Sequence, residues 1–105
     1  MKVLRMSHLS VDVVRVSAYA EFNGTQVDPT TPLIPVSIAV VAQGTDPISG
    51  NYVAGNWEEE VHGLSVNYWA TRSIGPLAIG RYDVWIKISD PGGVVQRQAA
   101  VIISY

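Results

Sequence analysis

The side chains best suited to chemistry in this chain of 105 residues are His8, His62 and the acidic run Glu58, Glu59 and Glu60. A general acid or base works only within hydrogen-bond reach of the reacting atom, held by a neighbour that orients it. The two histidines lie far apart in sequence, and no Asp or Glu stands at a recognisable ligand spacing from both. Structural zinc sites draw about four ligands, mostly from Cys and His, whereas this chain has no cysteine and two histidines. Calcium loops gather several oxygen ligands in a short stretch, and neither Asp46 nor Asp90 has a second acid within a few residues. Ser49-Gly50 lacks the leading glycine of the Gly-x-Ser-x-Gly elbow that presents a nucleophilic serine. Neighbours on a strand alternate faces, so of the three glutamates only Glu58 and Glu60 converge. Two like charges on one exposed face suit solubility better than the paired carboxylates of glycoside hydrolysis. We therefore expect no catalytic residue, no metal and no cofactor.

The same scarcity of charge bounds the partners. Charged residues make up 15% of the chain and hydrophobic ones 48%, with a formal charge of −2; an average soluble chain carries about 25% charge. Such a chain is apolar enough to fold, and its thinly charged surface favours contact with other proteins. The seven basic residues, Lys2, Arg5, Arg15, Arg72, Arg81, Lys87 and Arg97, are scattered. They form no cluster that neutralises a run of phosphates, which argues against nucleic acid. Without cysteine there is no disulfide framework, and folding in a reducing cytoplasm fits. Residues 1–10 lack the ~7–15 apolar residues of a signal peptide, and no segment approaches the ~20 that span a bilayer. We expect neither general secretory export nor a membrane span, and Met1 reads as the start of a complete frame. The length suits one domain: residues 1–10 as an N-terminal arm or edge strand, and residues 11–105 as the domain proper.

What must position any site is a set of strands. Residues 11–22 alternate, with Val14, Val16, Ala18, Ala20 and Phe22 on one face and Arg15, Ser17, Tyr19 and Glu21 on the other, the period of a strand. Asn23-Gly24 favours a tight turn with positive φ, which predicts that residues 25–27 pair back. Residues 30–35 hold two prolines and predict an extended connection. In residues 36–42, Val36, Ile38, Val40 and Ala42 alternate with Ser37, Ala39 and Val41, a second set apolar enough for burial on both faces. Residues 43–55, rich in Gly, Asp, Pro, Ser and Asn, predict the longest loop, broken by a short strand at Tyr52 and Val53. Strands follow at residues 57–61 and 64–71. Across residues 77–90, Tyr82, Val84, Ile86 and Ile88 face one way and Asp83, Trp85, Lys87 and Ser89 the other. Pro91-Gly92-Gly93 turns the chain, and residues 94–104 return with Ala99, Val101 and Ile103 on the core face. No ten-residue stretch repeats apolar residues at helical spacing. Roughly seven short strands without strand-helix alternation predict an all-β sandwich.

The segment Gly80-Arg81-Tyr82-Asp83-Val84-Trp85-Ile86-Lys87-Ile88, preceded by Leu77 and Ile79, resembles the Gly-x-Tyr entry to the penultimate strand of immunoglobulin-like domains. The resemblance implies an immunoglobulin-like β-sandwich of about seven antiparallel strands, in which Tyr82 packs at a corner and its hydroxyl bonds back to the main chain. It covers roughly the last thirty residues and is generic before them. Neither core cysteine of antibody domains is present, and Trp57 and Trp69 do not stand in the cysteine-to-tryptophan spacing of those domains. A short chain that opens on Met1 and carries Tyr-Asp-Val-Trp-Ile-Lys-Ile is similar to small structural proteins encoded in the morphogenesis regions of tailed bacteriophages. That likeness implies a non-enzymatic virion protein made in the host cytoplasm, a capsid decoration or minor capsid component. Its partners would be the major capsid or other virion proteins, met in multiple copies on a symmetric assembly. A place at the head-tail junction or in the tail is the alternative.

Trp57, Tyr68, Trp69 and Trp85 are more aromatics than so small a core needs. Alternation puts Trp85 outward with Asp83 and Lys87, where it serves as an interface anchor or covers a satellite core beneath residues 43–55. Val3 and Leu4, with Met6 and Leu9, are more apolar than a free tail, so residues 1–10 are expected to serve assembly and to be dispensable for the fold. The expected interface residues are Trp57, Trp69, Trp85, Val3 and Leu4. A carbohydrate-binding or adhesion module is the other reading; it requires Trp57 and a second aromatic exposed side by side, with Gln43, Asn51 and Asn56 to hydrogen-bond a sugar.

Overall fold

Alternating sequence becomes strand along most of the chain. The computed structural model describes residues 2–22, 25–30, 33–90 and 93–105. In chain order the strands are β1 (Lys2–Met6), β2 (Asp12–Ser17), β3 (Ala20–Phe22), β4 (Thr25–Val27), β5 (Val36–Ala42), β6 (Tyr52–Ala54), β7 (Asn56–His62), β8 (Ser65–Ile74), β9 (Gly80–Asp90) and β10 (Gly93–Ser104). A 3-10 turn, Ser49–Asn51, precedes β6. One sheet has the order β1-β10-β9-β5-β6 and the other β2-β8-β7, with β3 and β4 as a separate ribbon. The pairings are antiparallel except that of β1 with β10, which is parallel.

The two sheets pack as one compact all-β domain. Val14 and Val16 of β2 and Ala70 and Ile74 of β8 meet Ile38 of β5, Val84 and Ile86 of β9 and Ile102 of β10 in one buried cluster. These are mostly β-branched side chains, which fit the pleated surface and bury apolar area at about 25 cal/mol per Å2. Met6 of β1 belongs to the same cluster and Leu4 packs against it, so the N-terminal segment is an edge strand of the sheet and not a free arm. Its turn is tied to the C-terminus: Tyr105 N–H donates to Met6 O and His8 N–H donates to Tyr105 O.

Three sequence expectations need amendment. Among the described residues ten strands form where about seven were expected; the excess consists of three-residue strands, β3, β4 and β6, of which the last two were foreseen as short pairings, and of β1, which joins in parallel. The strand foreseen over residues 11–22 breaks at Ala18 and Tyr19, where Ala18 N–H still reaches Tyr68 O, and the rest leaves the sheet as β3. The expected return over residues 25–27 is β4, in register with β3; the Asn23-Gly24 turn itself, like Pro91-Gly92, lies outside the described residues. On β10 the buried residues are Ala100, Ile102 and Ser104, not Ala99, Val101 and Ile103. A bulge between Gln98 and Ala100 inserts one residue against β9, and one extra residue reverses every face beyond it.

Gly55 lets the chain change sheets between β6 and β7. A Cβ there would lie 2.7 Å from Thr71 O, too close for any side chain, and Gly55 N–H donates to Val36 O at 2.9 Å. This crossing sets where Trp57 falls.

Candidate interaction surfaces

Trp57 and Trp69 sit on one sheet but point to opposite sides. Trp57 on β7 is in register with Ala70, and Trp69 on β8 with Glu58. Trp57 faces inward, packs against the core, and its indole N–H donates to Ile34 O at 2.8 Å. Its ring forms one wall of an apolar groove of about 390 Å3, with Leu33, Pro35, Ala54 and Gly55 among the other walls. Trp57 is thus anchored structure at the sandwich margin, and among the described residues no second aromatic lines the groove beside it.

Trp69 faces outward but is covered. The Arg15 guanidinium of β2 lies 3.9 Å from its ring centroid, and the same guanidinium is 2.9 Å from both Glu58 Oε1 and Glu60 Oε2 of β7. The strand order β2-β8-β7 carries Arg15 across the tryptophan to the two acids, and the alternation that brings Glu58 and Glu60 together gives them a cation to hold. Hydrogen bonds from Arg15 first, and then from His62, hold the Glu60 carboxyl below the usual carboxylate range. Bonding to Glu60 and Glu58 raises Arg15 in turn. His62 meets Glu60 directly, whereas His8 lies in the β1–β2 turn and bonds Tyr105 O through Nδ1 at 2.8 Å. The two histidines are not brought together, and among the described residues no group of three or more His, Cys, Asp or Glu is placed to hold a metal.

Trp85 lies on the outer face of the other sheet, in register with Ala39 of β5 and Gln98 of β10. Ala39 and Val41 also face outward, yet they are 0% and 6% exposed. The cover is the loop after β5. Gly44 N–H donates to Asp83 Oδ2 at 2.9 Å, Gln98 Nε2 donates to Asp83 Oδ1 at 3.0 Å, and the 3-10 turn packs against β5. Tyr52 pairs with Ala39 from the other side, its phenol pushed up by burial and its ring 5.3 Å from the Lys87 ammonium. Trp85 thus helps close a satellite core, and its indole N–H is enclosed without a partner among the described residues. Asp83 is a residue sequence reasoning passed over; a carboxylate between Val84 and Tyr82 with a glycine-rich loop elsewhere carries no local signal.

Val3 and Leu4 divide by alternation: Val3 points outward beside Val101 and is exposed, and Leu4 points into the core. The five expected interface residues therefore form no common patch. A second residue without a sequence signal is Arg72 of β8, which points between the sheets, donates from Nη1 to Ile38 O at 2.9 Å and is lowered by burial. The Tyr82 hydroxyl donates to Ala78 O at 2.7 Å, four residues back. Comparison with protein-family models, curated proteins and solved structures finds no match to this chain.

Proposed function

We propose that this chain is a non-enzymatic structural protein of a tailed-phage virion, an immunoglobulin-like module that works through protein-protein contacts, as a capsid decoration or minor capsid component. The fold part of this reading is supported by strand order. β10-β9-β5-β6 corresponds to the G, F, C and C′ strands of an immunoglobulin domain, and β2-β8-β7 to its B, E and D strands. The bond from Tyr82 to Ala78 is of the kind made at the tyrosine corner of such domains. On this reading Val84, two residues on, matches the position of the second antibody cysteine, and its full burial is in keeping with that.

The observation that carries the functional part is the surface. Leu9, Val11, Leu33, Ile48, Val61 and Leu64 are all largely exposed on a molecule with few charges, and most stand in or beside connections that a lattice neighbour can reach. Weak contacts of this kind become effective when many copies bind a repeating surface. The virion itself is suggested by the likeness of the Gly80 to Ile88 strand to phage structural proteins. Sedimentation velocity of the chain, alone and mixed with assembled heads or tails from its source, tests the reading. Co-sedimentation at a fixed stoichiometry supports it, and a chain that stays free of both particles overturns it.

A further inference from the structure

The sheet edges of this molecule are guarded unequally. On β2 the Asp12 carboxylate accepts from Val13 N–H at 2.7 Å and the Lys2 ammonium donates to Arg15 O at 3.0 Å, so side chains occupy main-chain groups that a new strand would need. β7 carries Glu58, Glu59 and Glu60, and charge on an edge strand deters pairing. β1 is five residues long with Lys2 and Arg5, and β6 only three. The first half of β10 has no such guard. β1 covers Ala100 to Ser104 alone, so residues 93–98 pair with β9 on one side and with no described residue on the other. Val94 and Val95 are 59% and 49% exposed there, and Arg97 is the one charge of the stretch.

We propose that this open edge is the contact of a two-fold dimer, in which a second copy of the chain adds antiparallel along residues 93–97 with the register centred on Val95. The inference rests on the reading of the domain as an assembly module and names the edge and its partner. The segment is self-complementary in this register. Val95 lies opposite Val95 of the second copy, Val94 opposite Gln96, and Arg97 opposite Gly93, which has no side chain to crowd it. Directly opposed residues share a face and interact most strongly, so apolar meets apolar at the centre. The two Arg97 side chains stand four residues apart along the ladder, roughly 13 Å. A register centred on Gln96 would set Val95 against Arg97, and one centred on Arg97 would oppose like charges. One two-fold contact closes both open edges at once and leaves none to propagate.

The absence of native cysteine makes the test direct. Opposed residues of an antiparallel pair have Cα atoms about 4.5–5.5 Å apart, within the range a disulfide bridges. Under mild oxidation Val95→Cys should form a linked dimer at least about tenfold faster than Val13→Cys, because a formed contact raises the effective thiol concentration; Val13, on the guarded β2 edge, is 53% exposed and serves as the control. The unaltered chain should dimerise with concentration in sedimentation equilibrium, and Val95→Lys, which opposes two charges, should weaken the dimer at least about tenfold while leaving unchanged the thermal midpoint measured at dilutions where both chains are monomeric. A monomer at every concentration, with the two cysteine variants linking equally slowly, overturns the proposal. If the chain is monomeric and Val95→Lys abolishes binding to particles, the edge takes a strand from another protein; the second-copy proposal then fails while the virion function stands. A dimer that ignores particles supports the edge and overturns the virion function.

Discussion

Asp83→Ala tests how the satellite layer is held. Asp83 is 8% exposed and accepts two hydrogen bonds, from Gly44 N–H and Gln98 Nε2. A hydrogen bond to a charged group contributes about 1.5–3 kcal/mol when buried; both bonds here are only partly buried, so the lower figure applies to each and the loss is about 3 kcal/mol. For a domain of this size that corresponds to a fall in thermal midpoint of roughly 12–15 °C. Asp83→Asn separates geometry from charge. Its Oδ1 still accepts from Gly44, and its amide donates to Gln98 once that side chain turns its own carbonyl inward, so the loss shrinks to about 1 kcal/mol. Urea unfolding followed by tryptophan fluorescence gives the stabilities. Hydrogen exchange across residues 43–51 should show protection lost in Asp83→Ala and kept in Asp83→Asn. A loss under about 0.5 kcal/mol in the alanine variant, the level of an ordinary surface change, would refute the claim that this carboxylate pins the loop over Ala39 and Val41. Equal losses in both variants would refute the hydrogen-bond argument.

Gly55→Ala should cost about 1–3 kcal/mol in chemical denaturation, because its Cβ meets a fixed main-chain oxygen, whereas Gly50→Ala, with open space around it, should stay within about 0.5 kcal/mol. Glu60→Gln should destabilise the domain at neutral pH and not in acid. The Glu60 pKa is depressed on folding, chiefly by Arg15 and then by His62; its contribution is therefore present above the usual carboxylate range and disappears as pH falls through the lower folded value, where the unfolding curves of variant and parent should converge. Met6→Ala should lower stability by about 2–3 kcal/mol, and removal of residues 1–6 by at least as much; an unchanged thermal midpoint after the truncation would restore the reading of this segment as a dispensable arm.

Strands were legible where an apolar face alternates with one that carries polar side chains. In β9 strict alternation of Val84, Ile86 and Ile88 with Asp83, Trp85 and Lys87 left one register, whereas the corner role expected of Tyr82 came from the resemblance of its Gly-x-Tyr entry to immunoglobulin-like domains. The bulge in β10 was hidden because Ala99 to Ile103 is apolar at every step, so either face would serve as core and only the extra residue opposite β9 decides between them. An edge strand was one of the two expectations for residues 1–10, but the parallel pairing of β1 was hidden because its register comes from a partner at the far end of the chain. Trp57 and Trp69 misled for a related reason, whereas Trp85 takes one of its two expected roles, the cover of a satellite core beneath residues 43–55. Composition counts tryptophans, but whether an indole is a wall, a covered platform or a free anchor depends on what crosses it, and Arg15 reaches Trp69 only because β2 and β7 flank β8.

Half of the charged residues of this chain are engaged with other parts of the chain. Arg15, Glu58 and Glu60 form one network over a tryptophan. Asp83 holds a loop, Arg72 bonds a main-chain oxygen between the sheets, and Lys2 and Asp12 cap groups at the edge of β2. Asp28 secures the next turn by accepting from both Thr30 N–H and its hydroxyl, bonds that keep its carboxyl below the usual range. A charge engaged in this way organises the fold but covers little of the apolar exterior, and Leu33, Ile48 and Leu64 are left facing water. The same accounting bears on strand addition: charged side chains cap the β2 edge and line β1 and β7, β6 is only three residues long, and residues 93–98 carry a single charge, Arg97.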